Sequence, residues 1–168
     1  MGFSATGAIT DADAWLEAAD QFGILSDRIV LLESFSVEQN LALPMSLELD
    51  DLPVPVRASV RRLADEVGLT TAQLPQAVAH LDAESQLRVR LGKALALAPR
   101  VLLAEHPNLT LAPDHLPQFA SDLVRIAASR SLAMVVITAD TSFASVVSDR
   151  VLTLTPATGS PTSKIPII

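Results

Sequence analysis

The segment Leu81–Pro107 reads LDAESQLRVRLGKALALAPRVLLAEHP and carries the strongest fold signal in the chain. Apolar side chains recur at helical spacing over residues 83–98, and Pro99 ends the helix that they predict. The continuous apolar run Val101–Ala104 then predicts a short strand that is buried on both faces. A helix that leads directly into such a strand is typical of an α/β domain with a parallel sheet.

The same alternation of helices and apolar strands continues on both sides of this segment. Downstream, the pattern predicts a helix at Leu116–Ser129, a strand at Leu132–Thr138, a short helix at Ser142–Val147 and a strand at Val151–Leu154. Upstream, it predicts strands at Phe22–Leu25 and Ile29–Leu32, and helices at Ala14–Ala19, at Val37–Leu43 and from Pro55 to Gly68. The length of 168 residues suits one such domain.

The composition excludes several kinds of partner and site. A formal net charge of −7 repels phosphate backbones, so nucleic acid is not an expected partner. Cysteine is absent, which excludes disulfides, thiolate metal sites and cysteine nucleophiles. The apolar runs are too short to cross a bilayer and the N-terminus lacks a secretory pattern. We therefore expect a cytoplasmic location without direct membrane insertion.

Four stretches of the chain match motifs of one known family. Residues 81–107 resemble the run from the signature motif to the Walker B strand of ABC-transporter ATPases, LSGGQxQRVxxARALxxxPxxLLxDEP. Residues 135–140, VVITAD, and residues 148–154, SDRVLTL, resemble the family's VVxVTHD and ADRVxxL strands. Residues 23–44 resemble the stretch from the Q-loop to the ENVxLPL segment. The most similar branch is that of lipoprotein release and macrolide export.

The resemblance implies a truncated P-loop-NTPase-like fold of the ABC ATPase type, an α/β fold with a parallel sheet and flanking helices. It places this domain at residues 23–154 and a helical subdomain within it at about residues 35–80. Residues 1–22 are left as a poorly defined N-terminal segment, and residues 155–168 as a tail.

The phosphate-binding P-loop, G-x-x-x-x-G-K-[ST], is missing from the sequence. Its only Gly-Lys pair, Gly92-Lys93, is followed by alanine and lies within a predicted helix. In the family, the P-loop strand lies between the strands that correspond to Leu132–Thr138 and Val151–Leu154. We expect this gap to be filled by direct closure of the two strands or by a segment exchanged with a second copy. Gly2–Ile9 and Ser163–Ile168 are the other candidates.

The positions that touch nucleotide in the family also carry other residues. The Q-loop glutamine aligns with Asp27, the SGGQ of the signature with Asp82, Ala83, Glu84 and Ser85, the Walker B aspartate with Glu105, the catalytic glutamate with His106, and the switch histidine with Ala139. No catalytic residue and no bound cofactor are therefore expected. The resemblance implies a pseudo-ATPase that keeps the packing residues and has lost the nucleotide contacts.

The sequence allows two further kinds of site, a new site at the strand ends and a groove for a partner protein. Glu105, His106 and Asp140 could form a new acid–base or metal constellation at the strand ends, but polar residues at strand ends are the simpler interpretation. The three histidines lack metal-ligand spacing, so no metal site is expected. By resemblance, a groove on the helical subdomain receives a permease helix; its candidate lining residues are Val37, Leu41, Pro44, Met45 and Leu47. That each of these residues simply covers the core is the favoured interpretation.

Three functions follow from these observations. The first is a non-catalytic ABC-ATPase-like protein that interacts with an ABC permease or a competent ATPase subunit, and is membrane-associated only through the permease. The second is an ATP-binding subunit of an ABC transporter whose P-loop portion lies outside this chain, and only this hypothesis involves Mg-ATP. The third is a small-molecule binding module. A homodimer is compatible with the first two.

Overall fold

The computed structural model describes residue 19, residues 21–154 and residues 161–164, with side chains described for residue 19 and residues 21–153. In chain order the elements are β1 (Phe22–Leu25), α1 (Val37–Ala42), α2 (Val54–Glu66), a 3-10 turn (Val78–His80), α3 (Ala83–Leu95), β2 (Val101–Glu105), α4 (Leu116–Arg130), β3 (Ala133–Ile137), α5 (Thr141–Val147), β4 (Val151–Leu154) and β5 (Pro161–Lys164). Over these residues, none of the helices combines the length and the apolar character needed to cross a membrane.

The central sheet is parallel and has the strand order β1-β2-β3. Ile24 lies beside Leu103, and Leu103 lies beside Val135, which fixes the register of all three strands. Along each strand, every second side chain points to the core, and Leu25, Leu102 and Ala104 are buried there. The predicted α/β class with a parallel sheet and flanking helices is confirmed.

Helix α3 packs very closely on β1. A Cβ atom on Gly23 would lie only 2.4 Å from the carbonyl oxygen of Ala94, so no larger residue could stand there without moving the helix. Leu87, Leu91 and Leu95 are buried on the inner side of α3, as their helical spacing predicts. The helix ends at Leu95, slightly before the predicted end, because the backbone at Ala98 turns left-handed with φ of 52°.

Helices α1 and α2 lie within the segment predicted to be a helical subdomain, and they pack on each other and on α3. Ser36 and Gln39 make a reciprocal capping box that begins α1. Pro55 lies in the first turn of α2, where its missing N–H costs nothing. Gly68 follows the helix with φ of 80°, a conformation that glycine adopts without strain. The predicted start of α2 at Pro55 and its predicted stop at Gly68 are thus confirmed.

The strand predicted at Ile29–Leu32 is wrong. Residues 26–36 form a loop instead, in which the Ile29 N–H donates to the carbonyl of Ser26. The side chain of the buried Asn40 accepts from the Leu32 N–H at 2.9 Å and donates to its carbonyl at 3.0 Å. A side chain therefore satisfies the backbone groups that a neighbouring strand would otherwise have paired. The helix predicted at Ala14–Ala19 lies outside the described residues, apart from Ala19, which is helical.

Strand β4 does not join the central sheet. It pairs antiparallel with β5, which comes from the predicted tail, so the expected closure of β4 on β3 is wrong. A hairpin over a short connection loses less chain entropy than a pairing with a distant strand, which explains this outcome. Among the described strands, β3 has only β2 as a partner. Gly2–Ile9 lies outside the described residues, and the exchanged segment stays a prediction.

Candidate functional site

The carboxyl ends of β1, β2 and β3 meet at one edge of the sheet, which is where open parallel sheets bind ligands. Residues Ser26 to Arg28 follow β1, Glu105 and His106 end β2, and residues 138–140 follow β3. Four of the positions that the family resemblance aligns with nucleotide contacts lie at this edge: Asp27, Glu105, His106 and Ala139.

The carboxylate of Glu105 already has partners within the chain. The buried Ser26 hydroxyl donates to its Oε2 atom at 3.0 Å, and Arg28 Nη2 lies 3.7 Å from its Oε1 atom. The Arg28 side chain is 82% exposed, so its ion pair adds little. Asp27 lies beside this pair, with its Oδ1 atom 3.4 Å from the Ser26 hydroxyl. Both carboxylates thus lie against the Ser26 hydroxyl, directly after β1.

His106 has an unusual backbone conformation, with φ of 46°. Its N–H donates to the carbonyl of Ile137 at 2.7 Å, so it extends the pairing of β2 with β3 before the chain turns away. A left-handed conformation at a residue with a Cβ costs about 1–2 kcal/mol, and the surrounding contacts must hold it. No local signal in the sequence predicts this turn, because the following Pro107 favours an extended backbone at the residue before it.

Beyond β3, the polar residues serve the local structure. Asp140 Oδ1 accepts from the N–H groups of Ser142 and Phe143 and caps α5. The Thr138 hydroxyl donates to Asn108 at 2.9 Å. The side chain of Ala139, which aligns with the switch histidine, has no polar group that could contact a phosphate. Among the described residues, no hydrogen bond or ion pair joins Glu105, His106 and Asp140. In the same part of the chain, no group of three acidic or histidine side chains is arranged to bind a metal ion.

The other aligned positions lie at the start of α3. Asp82 is the N-cap, and its Oδ1 atom accepts from the Ser85 N–H at 2.7 Å. This backbone hydrogen bond lowers the pKa of Asp82, so the residue is ionised at neutral pH. Ser85 is buried, and its hydroxyl accepts from Gln73 at 2.9 Å. The end of the helix that could have faced a phosphate therefore already has a carboxylate on it.

Glu84 adds a second negative group at the same helix end. Burial alone would raise the pKa of its carboxyl, but hydrogen bonds from Arg88 and His115 lower it below the usual value. The hydrogen bond to Glu84 and the charge of Asp114 raise the pKa of His115 in turn. The Glu84–His115 pair is therefore most stable when Glu84 is ionised and His115 is protonated. This ion pair connects the start of α3 to the residue that precedes α4.

Arg88 joins the end of α2 to α3 and α4, which the sequence did not reveal. Its side chain is 8% exposed and contacts Glu84 at 2.8 Å and Asp122 at 2.9 Å. It also donates to the Val67 carbonyl at 2.7 Å and lies 5.9 Å from the centroid of the Phe119 ring. The spacing of Glu84 and Arg88, four residues apart on a helix, is a visible signal for one of these contacts. The others depend on the fold.

A groove of about 290 Å³ lies along the outer edge of β1. Its lining residues are Ala19, Phe22, Gly23, Ile24, Ile29, Pro44, Lys93, Ala94, Leu97 and Pro99. Of the five partner-binding candidates, Pro44 lines this groove, Met45 is half-buried and Leu47 is 87% exposed. Val37 and Leu41 are 0% exposed. These two residues face the core, since they lie four residues apart on the inner side of α1, and cannot line a surface groove.

Comparison with known proteins finds relatives of this chain. The methionine import ATP-binding protein MetN 1 of Burkholderia ambifaria is 33% identical over 143 residues, which are 85% of this chain and 41% of that protein. The glutamate/aspartate import ATP-binding protein GltL of Escherichia coli is 28% identical over 130 residues, 77% of this chain and 53% of that protein. Among solved structures, cbiO1 from Clostridium perfringens, part of the ABC transporter complex cbiONQ, has a TM-score of 0.74 at 19% identity, over 84% of this chain and 56% of that one.

The fold is that of an ABC-transporter ATP-binding domain. This ABC-type fold agrees with the family resemblance drawn from the motifs at residues 81–107, 135–140 and 148–154. The chain spans less than two thirds of the length of each of these relatives. No protein-family model matches the chain.

Proposed function

We propose that the chain is part of an ATP-binding subunit of an ABC transporter and that it docks on the transporter's permease. The observation that carries this proposal is the sequence relationship to import ATP-binding proteins, at 33% identity over 85% of the chain. It favours the second function considered above, an ATP-binding subunit whose P-loop portion lies outside this chain, over the first, a non-catalytic ABC-ATPase-like protein. In this proposal, residues 23–154 are the ABC-type domain and residues 35–80 its helical subdomain.

The chain by itself does not hold Mg-ATP in this proposal. The sequence contains no P-loop, and the Asp82 carboxylate caps the helix end that would face a phosphate, while Glu84 is already paired with Arg88 and His115. Like charges at this end oppose the approach of a triphosphate. The carboxylate of Glu105 is engaged by Ser26 and Arg28. These residues do not fit a magnesium–nucleotide site, so we derive no hydrolysis step from them.

The surface that we assign to the permease is the groove beside β1. Ile24 and Leu97 are 51% and 59% exposed there, and Val30 next to the groove is 70% exposed. Clustered apolar side chains rimmed by polar ones are typical of protein docking surfaces. The Lys93 ammonium donates to the Val30 carbonyl at 2.8 Å and holds the loop after β1 against α3. An apolar helix from a membrane subunit would fit such a groove.

Site-specific photo-crosslinking tests the docking proposal. A photoreactive phenylalanine analogue at Leu97 should crosslink in native membranes to a multi-spanning permease, identified by mass spectrometry. The matched control is the same analogue at Leu109, which is 71% exposed and outside the groove. Equal permease crosslinking from both positions, or none from Leu97, would contradict the assigned surface.

The transported substrate and the branch belong to the proposal as well. The two sequence relatives named above are import proteins for methionine and for glutamate/aspartate. The branch expected from the motifs, lipoprotein release and macrolide export, stays a prediction. We place the protein at the cytoplasmic side of a membrane, held there by the permease. A homodimer or a pairing with a competent ATPase subunit remains part of the same proposal.

A further inference from the structure

A pocket of about 380 Å³ lies where α2 ends and the following turn begins. We call it the α2 pocket; it is lined by the last two turns of α2 and by residues of the segment 68–74, and it shares no lining residue with the groove beside β1. Its volume falls within the range of small-molecule sites, about 300–1,000 Å³. Ala64, Leu69 and Leu74 line the pocket and are buried, so it has an apolar base.

Arg61 and Asp65 place opposite charges at the rim of the α2 pocket. They lie four residues apart on α2, so they project from the same side of the helix. Both residues are exposed, and within the described part of the chain neither side chain has a hydrogen-bond or ion-pair partner. A basic residue that precedes an acidic one by four positions is the less favourable order for pairing on a helix. Both charges are therefore available to a ligand.

The turn that forms the other wall of the pocket is fixed by hydrogen bonds. The Leu69 N–H donates to the Ala64 carbonyl at 2.8 Å. The N–H and the hydroxyl of Thr70 both donate to Gln73 Oε1, at 2.8 and 2.9 Å. The Gln73 amide in turn donates to the Ser85 hydroxyl at 2.9 Å, which ties the turn to α3. A wall that is already ordered does not have to lose conformational entropy when a ligand binds.

The carboxylate of Asp65 is the acceptor that remains for a ligand cation at this end of α2. Backbone carbonyls at a helix C-terminus also attract cations, but here the last two are occupied by arginines. The Glu66 carbonyl accepts from Arg125 at 2.9 Å, and the Val67 carbonyl accepts from Arg88 at 2.7 Å. A cationic group that enters the pocket is therefore expected to contact Asp65.

We propose that the α2 pocket binds a free α-amino acid with an apolar side chain. Its carboxylate would pair with Arg61, since a guanidinium binds a planar carboxylate through two parallel hydrogen bonds. Its ammonium group would pair with Asp65. The two ligand charges lie on adjacent atoms of the amino acid, which suits partners whose Cβ atoms are about 5–6 Å apart on one helix turn. The apolar side chain would lie on Leu69 and Leu74, at the base of the pocket.

Titration of the purified 168-residue chain with L-leucine, followed by two-dimensional amide NMR, tests this site. Saturable shifts are expected at the amides of residues 68–71, with a dissociation constant of about 1 mM or tighter. Three analogues should bind at least roughly tenfold more weakly, because each loses one charge-assisted contact. Leucinamide lacks the carboxylate, isocaproate lacks the ammonium group, and ε-aminocaproate holds the two charges too far apart.

Two substitutions assign the binding to the rim charges. Arg61→Met and Asp65→Asn should each weaken L-leucine binding by roughly tenfold or more. Both positions are exposed, so the variants should keep the circular dichroism spectrum of the wild type. The matched control is Arg62→Met: Arg62 is the neighbouring exposed arginine, lies outside the pocket and donates to the Ser59 hydroxyl at 3.2 Å. It should bind L-leucine as the wild type does.

Three results would overturn the proposal. The first is the absence of saturable shifts with L-leucine in the folded wild-type chain. The second is equal affinity of the wild-type chain for L-leucine and leucinamide, which does not depend on any substitution. The third is equal weakening by Arg61→Met and Arg62→Met, which would indicate an effect of net charge rather than a site. Because the α2 pocket and the groove beside β1 share no lining residue, none of these results bears on permease docking.

Discussion

At the scale of single residues, Arg88 connects more of the molecule than any nucleotide-aligned position described above. Its guanidinium contacts Glu84 in its own helix, Asp122 in α4 and the Val67 carbonyl after α2. A charge buried this deeply is tolerated because each of the three guanidinium nitrogens donates to at least one acceptor. The side chains of Glu84 and Asp122 are 24% and 13% exposed, so their negative charges need the Arg88 guanidinium for compensation.

Arg88→Met should destabilise the chain strongly. Removing one partner of a buried ion pair leaves the carboxylates uncompensated, at a cost of about 3–5 kcal/mol. Arg57→Met is the matched control, because Arg57 makes ion pairs of 3.5 and 4.0 Å with a side chain that is 41% exposed, and it should cost less than about 1 kcal/mol. Urea unfolding followed by circular dichroism measures both. Equal losses of unfolding free energy would show that Arg88 is not a buried connection.

The sequence shows only part of this residue-level picture. Glu84 and Arg88 lie one helical turn apart, so their pairing is visible from spacing alone. Asp122 is 34 positions from Arg88, and nothing local links them. The same limit applies to Val37 and Leu41, which look like an exposed apolar stripe until the packing of α1 shows them at 0% exposure.

At the scale of elements, the loop over residues 26–36 depends on one buried amide. Asn40 in α1 accepts from the Leu32 N–H and donates to the carbonyls of Leu32 and Ser36 at 3.0 Å. The Asn40 side chain provides the hydrogen bonds that a neighbouring strand would otherwise make with this part of the backbone. The loop in turn forms one wall of the groove beside β1 through Ile29.

Asn40→Ala should loosen this loop before it unfolds the domain. The change leaves the buried N–H of Leu32 unpaired and costs about 1–3 kcal/mol. Amide hydrogen exchange at Leu32 should accelerate by a larger factor than exchange in β2. Gln76→Ala is the control, because Gln76 makes a single exposed hydrogen bond to the Ala72 carbonyl and its loss should be nearly neutral. Unchanged protection at Leu32 in Asn40→Ala would contradict the assigned role.

The sequence predicts a helix or strand better when its own residues determine it than when it depends on a distant partner in the chain. The apolar runs at Val101–Ala104 and Leu132–Thr138 become β2 and β3, since a strand buried in a parallel sheet has a distinct composition. The run Ile29–Leu32 has the same composition, but the Asn40 side chain takes its hydrogen bonds. The pairing of β4 with β5 could not be read from β4 itself, because sheet partners are chosen by the whole chain.

At the scale of the whole molecule, an ABC-type fold coexists with strand-end polar groups that bond within the chain. The ends of β1, β2 and β3 meet at one edge, as ligand binding in this architecture requires. At that edge Glu105 is held by Ser26, and Asp140 caps α5. At the start of α3, Asp82 caps its own helix. The polar groups thus serve the fold, and the exposed apolar surface beside β1 is available for contact with a partner protein.

The measurement that tests this account most directly is a calorimetric titration of the purified chain with Mg-ATP. The account predicts no saturable heat up to about millimolar nucleotide, which corresponds to binding weaker than about −4 kcal/mol. Saturable binding in the micromolar range would contradict it, because it would require a phosphate site among residues that we find capped, paired or negatively charged.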